Sequence, residues 1–153
     1  MSWLEHRVPP PLVGLITALL MAWLAGGPEW HVPSGVNGLS MALLVLVGLS
    51  FDIAGLLAFR ASRTTVNPLR PERASSLVTQ GVYRITRNPM YVGMVFLLLA
   101  WGFYLAHWPA LLLGPMVYML YLNRFQIAPE ERVLLGLFGE EHRAYMARVR
   151  RWL

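Results

Sequence analysis

Residues 89–122 read Pro-Met-Tyr-Val-Gly-Met-Val-Phe-Leu-Leu-Leu-Ala-Trp-Gly-Phe-Tyr-Leu-Ala-His-Trp-Pro-Ala-Leu-Leu-Leu-Gly-Pro-Met-Val-Tyr-Met-Leu-Tyr-Leu, without one formal charge. A helix needs about 20 apolar residues to cross a bilayer, so this run is too long for one crossing and suits two. His107-Trp108-Pro109 interrupts it near the middle. Proline does not continue a helix comfortably, and tryptophan favours the membrane interface. The pattern predicts a tight helical hairpin with spans at about 90–106 and 110–122. Both are short, so they extend into their flanks or sit where the bilayer thins.

Two more apolar tracts lie upstream, at 8–25 and 38–59. The first opens on Pro9, Pro10 and Pro11, which suit a helix's first turn. The connector 26–37 carries Pro28 and Pro33. Composition agrees with four spans: 56% of the 153 residues are hydrophobic and 14% charged. A soluble domain carries roughly 25% charged residues, so an ordinary water-soluble surface is excluded. With no cysteine there is no disulfide framework, thiolate nucleophile or zinc–thiolate site. Glu5 and Arg7 before the first tract, and a second tract soon after it, argue against a cleavable signal.

Net charge is +5, and every basic residue is arginine. These arginines border the apolar runs, which points to a membrane rather than to nucleic acid. Segment 60–87 holds Arg60, Arg63, Arg70, Arg73, Arg84 and Arg87; the tail holds Arg124, Arg132, Arg143, Arg148, Arg150 and Arg151. Neither connector, 26–37 nor 107–109, holds any. Four crossings put both arginine-rich segments and the N-terminus on one side, which the positive-inside rule makes cytoplasmic. The expected fold is an all-α, single-domain membrane protein with four transmembrane helices. A cytoplasmic loop and an amphipathic C-terminal helix complete it. In the tail, Pro129-Glu130-Glu131 suits a helix start and Gly139 a break.

Segment 60–87 is longer than a connection requires. It offers hydroxyls, amides, guanidiniums and tyrosines, which can hold a polar ligand but are poor in general acids and bases. The run Gly81-Val-Tyr-Arg-Ile-Thr-Arg-Asn-Pro-Met-Tyr-Val-Gly93 resembles the G-x-Y…R-H-P-x-Y-x-G motif of the isoprenylcysteine carboxyl methyltransferases. That family is related to the phospholipid N-methyltransferases. Glu130-Glu131, Leu134 and Phe138-Gly-Glu-Glu-His-Arg-Ala-Tyr145 resemble its E-E-x-x-L…F-G-x-x-Y-x-x-Y ending. The likeness covers about residues 60–150.

The resemblance implies an S-adenosylmethionine site, with S-adenosylhomocysteine as product, built from segments at about 75–93 and 124–150. Ser75, Ser76, Leu77, Val78, Tyr83, Asn88, Pro89, Met90, Tyr91 and Glu130 would hold the cofactor. A lipophilic or small-molecule acceptor would enter from the bilayer, with Arg124 and Gln126 on its side. Glu130 and Arg124 are the candidates for catalytic roles. Asn88 stands where the family has histidine, which removes a titratable base there. Gln126 stands where the family has an arginine associated with prenylcysteine, and Arg124 is the nearby substitute.

Plainer readings stand beside these. Glu130 and Glu131 suit any helix N-terminus, Tyr83 and Tyr91 suit an interface, and Asn88-Pro89 suits a turn. Asp52 lies inside the second span, near its cytoplasmic end, where a carboxylate can reach water or an arginine. His31 and His107 read as solvated or interfacial. No cluster of histidines and acids suggests a metal. Two other functions remain open: a non-catalytic lipid-binding membrane subunit, and a nicotinamide-dependent membrane reductase, for which the dinucleotide glycine-rich turn is lacking.

Overall fold

The computed structural model describes residues 5, 7–27, 34–62 and 76–153, and among these it contains helices and no strand. The three N-terminal prolines do what their geometry favours. Pro9 is the extended N-cap of α1 (Pro10–Leu24), and Pro10 and Pro11 occupy its first turn, where a missing N–H costs nothing.

α2 (Gly35–Ala61) has 27 residues, about 40 Å at 1.5 Å per residue, and is long and apolar enough to cross a membrane. Only 11% of its apolar window is buried within the protein. The core helix of a soluble protein would be mostly buried, so this surface calls for an apolar surrounding. The same outward greasiness recurs at Leu15 and Leu19 of α1, and at Leu112, Met116 and Leu120 further along the chain.

α3 (Pro89–Leu105) and α4 (Trp108–Leu122) form the hairpin expected from 89–122. Ala106 ends α3 in the left-handed region at φ 48°. His107 then caps α4, its Nδ1 accepting the Ala110 N–H at 3.2 Å. The histidine read as solvated or interfacial also serves as a helix cap. His31 lies outside the described residues.

α3 is the central helix, packed against α1, α2 and α4. Its tightest approach is at Gly93, where a Cβ would run into the Asp52 carboxylate and come within 2.7 Å of the Gly48 carbonyl of α2. On the other flank, Trp101 Nε1 donates to the Ala18 carbonyl of α1 at 3.0 Å. Val13, Met21, Tyr91, Leu98, Ala110, Tyr118, Leu122 and Ile127 form the main core.

The tail differs from the expected fresh start at Pro129. α4 passes through a π turn, Asn123–Ile127, directly into α5 (Ala128–Arg148), with helical dihedrals at each junction. The proline explains the widening. Its ring would clash with the carbonyl four residues back, and it offers no N–H to that carbonyl. A π turn just before it loosens the ladder there. Gly139 breaks α5 as expected, at φ 50° and ψ −122°, a region that only glycine visits without strain. α5 buries Pro129, His142 and Tyr145 and leaves most of its charges outward. Finally, Glu5 pairs with Arg124 at 3.4 Å and Arg132 at 2.9 Å, so the start of the chain meets the start of α5 on one face.

Candidate functional site

Two polar elements converge above the core: the segment entering α3, and the π turn with the first turn of α5. Tyr91 lies in the first turn of α3 and is buried. Its hydroxyl donates to Glu130 Oε2 at 3.4 Å, and it also shares a hydrogen bond with the buried Gln126. An amide on the π turn, a phenol on α3 and a carboxyl on α5 thus form one chain of polar contacts.

Glu130 is only half-buried by surface area, yet protein surrounds it in depth. Its carboxyl is therefore recessed among α3, the π turn and α5. Desolvation raises its pKa to about 7; the Tyr91 hydrogen bond opposes the rise and the neighbouring Glu131 charge adds to it. A carboxyl so placed is divided between its two forms near neutrality.

Tyr83 comes from a 3-10 turn, Gly81–Arg84, ahead of α3. It is buried, packs edge-on against Phe59 at 5.5 Å, and has its own pKa driven up by burial and then by the Glu130 charge. Its carbonyl accepts the Tyr145 hydroxyl at 2.7 Å, which binds the far half of α5 over this segment. Val78, Tyr83 and Tyr145 make a second small core with Phe59, at the end of α2. Burial pushes the Tyr145 phenol up to about 12.

The other sequence-expected residues divide. Ser76 donates to the Ser62 carbonyl at 3.2 Å, tying the segment back to α2. Leu77 and Val78 pack in the second core. Pro89 is buried at the head of α3, and Met90 lies against Gly55. Asn88 is engaged by the tail, its Nδ2 donating to the Arg151 carbonyl at 2.9 Å. Arg124 faces outward, paired with Glu5 and 5.4 Å from the Phe125 ring centre, and no described contact joins it to Tyr91 or Glu130. Ser75 lies outside the described residues.

The surroundings of three residues go beyond the sequence reading, which offers His142 only as one of the groups, with Glu130 and Glu131, able to take a proton from an amine acceptor. Gln126 reads there as an acceptor-side residue replacing an arginine, not as a partner of Tyr91. Arg87 reaches Glu131 through Nη2 at 3.1 Å, while its Nε and Nη1 lie buried without a partner among the described residues. His142 is 2% exposed, with neither ring nitrogen hydrogen-bonded among the described residues. Its pKa is lowered by burial and then by Arg87, against a smaller opposing effect of Glu131. A signal for His142 exists in the sequence, since it occupies a tyrosine position of the ending motif. The other two depend on contacts between distant parts of the chain, which no local pattern reveals.

The arrangement is a helical bundle with a tyrosine–carboxyl pair at one end and apolar surfaces facing outward. The phospholipid methyltransferase family model matches residues 38–141, more than half of the chain, and the chain belongs to that family. Membership implies a methyltransferase and hence a methyl donor. An uncharacterized protein of Haemophilus influenzae is 45% identical over 64 residues, which is 42% of this chain and 100% of that protein. No solved structure matches the chain.

The described residues suit a cationic donor. Glu130 has one modest hydrogen bond, from Tyr91, and keeps acceptor capacity for an ammonium or a hydroxyl, with a charge that attracts any cation when it is ionised. The described residues contain no group of three His, Cys or acidic side chains that could hold a metal.

Proposed function

We propose that the protein is an integral membrane methyltransferase that takes its methyl group from S-adenosylmethionine and gives it to a lipophilic acceptor arriving through the bilayer. The observation that carries this reading is the hydrogen bond from Tyr91 to Glu130, with Tyr83 near enough to feel the Glu130 charge. It is supported by family membership and by the outward apolar surfaces of α1, α2 and α4.

The donor, when bound, supplies an already activated methyl group. What remains for the chain is placement and exclusion of water. Tyr83 and Tyr91 offer aromatic faces to a cation, and ionised Glu130 offers it a charge. Gln126 fixes the Tyr91 hydroxyl, so the phenol is aimed before anything binds. α5, pinned by Tyr145 to the Tyr83 carbonyl, closes the recess from water. Tyr118 of α4 keeps a buried, unpartnered hydroxyl among the described residues, a contact for the acceptor's polar end. A carboxylate or thiolate acceptor needs no base, whereas an amine must lose a proton, which Glu130 near pH 7 can take.

In this reading α1, α2, α3 and α4 each cross the bilayer, and the recess, residues 76–88 and α5 face the cytoplasm. Titration with S-adenosylhomocysteine in lipid nanodiscs tests the donor: saturable heat is expected, and none at millimolar ligand refutes the proposal. Labelled donor added to membranes, followed by lipid extraction, then identifies the acceptor.

A further inference from the structure

Glu130 and Glu131 are neighbours in sequence, but successive helical residues point about 100° apart. Glu130 looks into the recess. Glu131 looks toward the segment that follows α5. Its carboxylate accepts Arg151 Nε at 3.1 Å and Nη2 at 2.5 Å, and pairs with Arg87 Nη2 at 3.1 Å.

The backbone follows the same route. The Arg87 N–H donates to the Arg150 carbonyl at 3.0 Å. Thr86 Oγ1 and Asn88 Nδ2 both donate to the Arg151 carbonyl, at 3.1 and 2.9 Å. Asn123 Oδ1, on the π turn, accepts Arg151 Nη1 at 3.3 Å and Trp152 Nε1 at 3.2 Å. Val149 leaves α5 in extended geometry, so residues 149–152 form a strap laid across the entry to α3. Chain beyond a last helix ordinarily frays unless it is tied down. Here three separate elements tie it, and one of them, residues 86–88, leads directly into the turn that carries Tyr91.

We propose that Glu131, Arg87 and Arg151 form a clasp that positions Tyr91 against Glu130, and that Glu131 and Arg151 are positioning residues of the methyl-donor site rather than ligands of the donor. The inference rests on the methyltransferase reading above. It divides the paired acids: one serves the recess and the other holds the recess shut. The geometry favours this over donor binding by Glu131, whose two oxygens are already engaged by two guanidiniums. The Arg87–Glu131 pair is also partly screened from water, with Glu131 18% and Arg87 13% exposed, so it exceeds an ordinary surface pair in strength, whereas Arg151 is 35% exposed. Asn88 gains a reason as well. An amide at that position reaches the strap carbonyl, a contact outside the recess.

The test uses the full chain in nanodiscs with S-adenosylhomocysteine as probe. Arg151→Gln and Glu131→Gln should each weaken binding on the order of tenfold, and the double substitution should weaken it little further. Arg151→Lys should recover part of the loss, and it keeps the test open if the glutamine variants fold poorly. Amide exchange at residues 86–88, read without ligand, should quicken in both glutamine variants. Faster exchange with unchanged affinity overturns the clasp and leaves the methyltransferase standing. A loss confined to Glu131→Gln, or two losses that simply add, also overturns it, because Glu131 would then act directly on the ligand. Absence of binding to the unsubstituted protein would instead remove the methyltransferase reading, and the clasp with it.

Discussion

At the scale of the residue, Glu130 and His142 make opposite demands on pH. Glu130 binds its proton more tightly folded than unfolded, its pKa rising from 4.5 to about 7. Its contribution to stability is therefore complete below about pH 4.5 and is lost as pH rises through 7. Ionising it costs on the order of 3 kcal/mol from that difference. Glu130→Gln should raise the thermal midpoint of the ligand-free protein at pH 8 relative to pH 5, while weakening S-adenosylhomocysteine at least tenfold at neutral pH. Equal midpoint differences at both pH values would contradict the assigned burial. His142 resists protonation in the fold, so its contribution is complete above the ordinary histidine pKa of 6.5 and is lost as pH falls below it. With both ring nitrogens unpartnered among the described residues, it also carries the desolvation cost of buried polar atoms, about 1–3 kcal/mol. His142→Phe keeps the ring and removes that cost. A higher midpoint, most evident below pH 6.5, is expected from differential scanning; a lower one would show that an unseen partner serves the imidazole.

Among the elements, contacts with α3 decide most. α2 rides so close at Gly93 that Gly93→Ala must displace the Asp52 side chain or part the two backbones. Overpacking of this kind costs about 1–3 kcal/mol, so a lower midpoint is expected. Gly136, which has open space around its Cβ position, provides the control: Gly136→Ala should leave the midpoint unchanged or raise it. The elements are also what the sequence announces best. An uncharged run with His107-Trp108-Pro109 at its centre specifies a hairpin, and α3 and α4 fall within a few residues of the expected spans. The π turn is not announced. Proline and paired acids describe a helix start equally well whether or not a helix already precedes them, and the local pattern cannot tell the two apart. Site residues follow the same division. Tyr91 and Glu130 are legible because each lies in a motif, and the structure brings them together. Glu131, Arg87 and Arg151 are an unremarkable acid and two arginines until the fold pairs them, and the contact of Asn88 with the strap is equally invisible in the local pattern.

For the whole molecule, the four-crossing reading makes a sidedness prediction. The chain has no cysteine, so single cysteines are uniquely addressable. In intact cells or sealed, oriented vesicles, an impermeant maleimide should reach a cysteine at Gly27 or Trp108 from one side. It should reach one at Gly81 or Glu140 only from the other. Labelling of all four from one side would refute the arrangement. The pairing of Glu5 with Arg124 and Arg132 sets residue 5 beside the start of α5.

That pairing has a practical corollary. Because Glu5 Oε2 and Arg132 Nη2 lie 2.9 Å apart, Glu5→Cys combined with Arg132→Cys places two thiols within reach of a short bismaleimide, on a background free of competing sulfhydryls. The stapled polypeptide would be a covalent ring running from residue 5 to residue 132. In denaturing gels it should migrate apart from its linear parent, giving a chemical readout of the folded state in detergent screens that requires neither turnover nor a known acceptor.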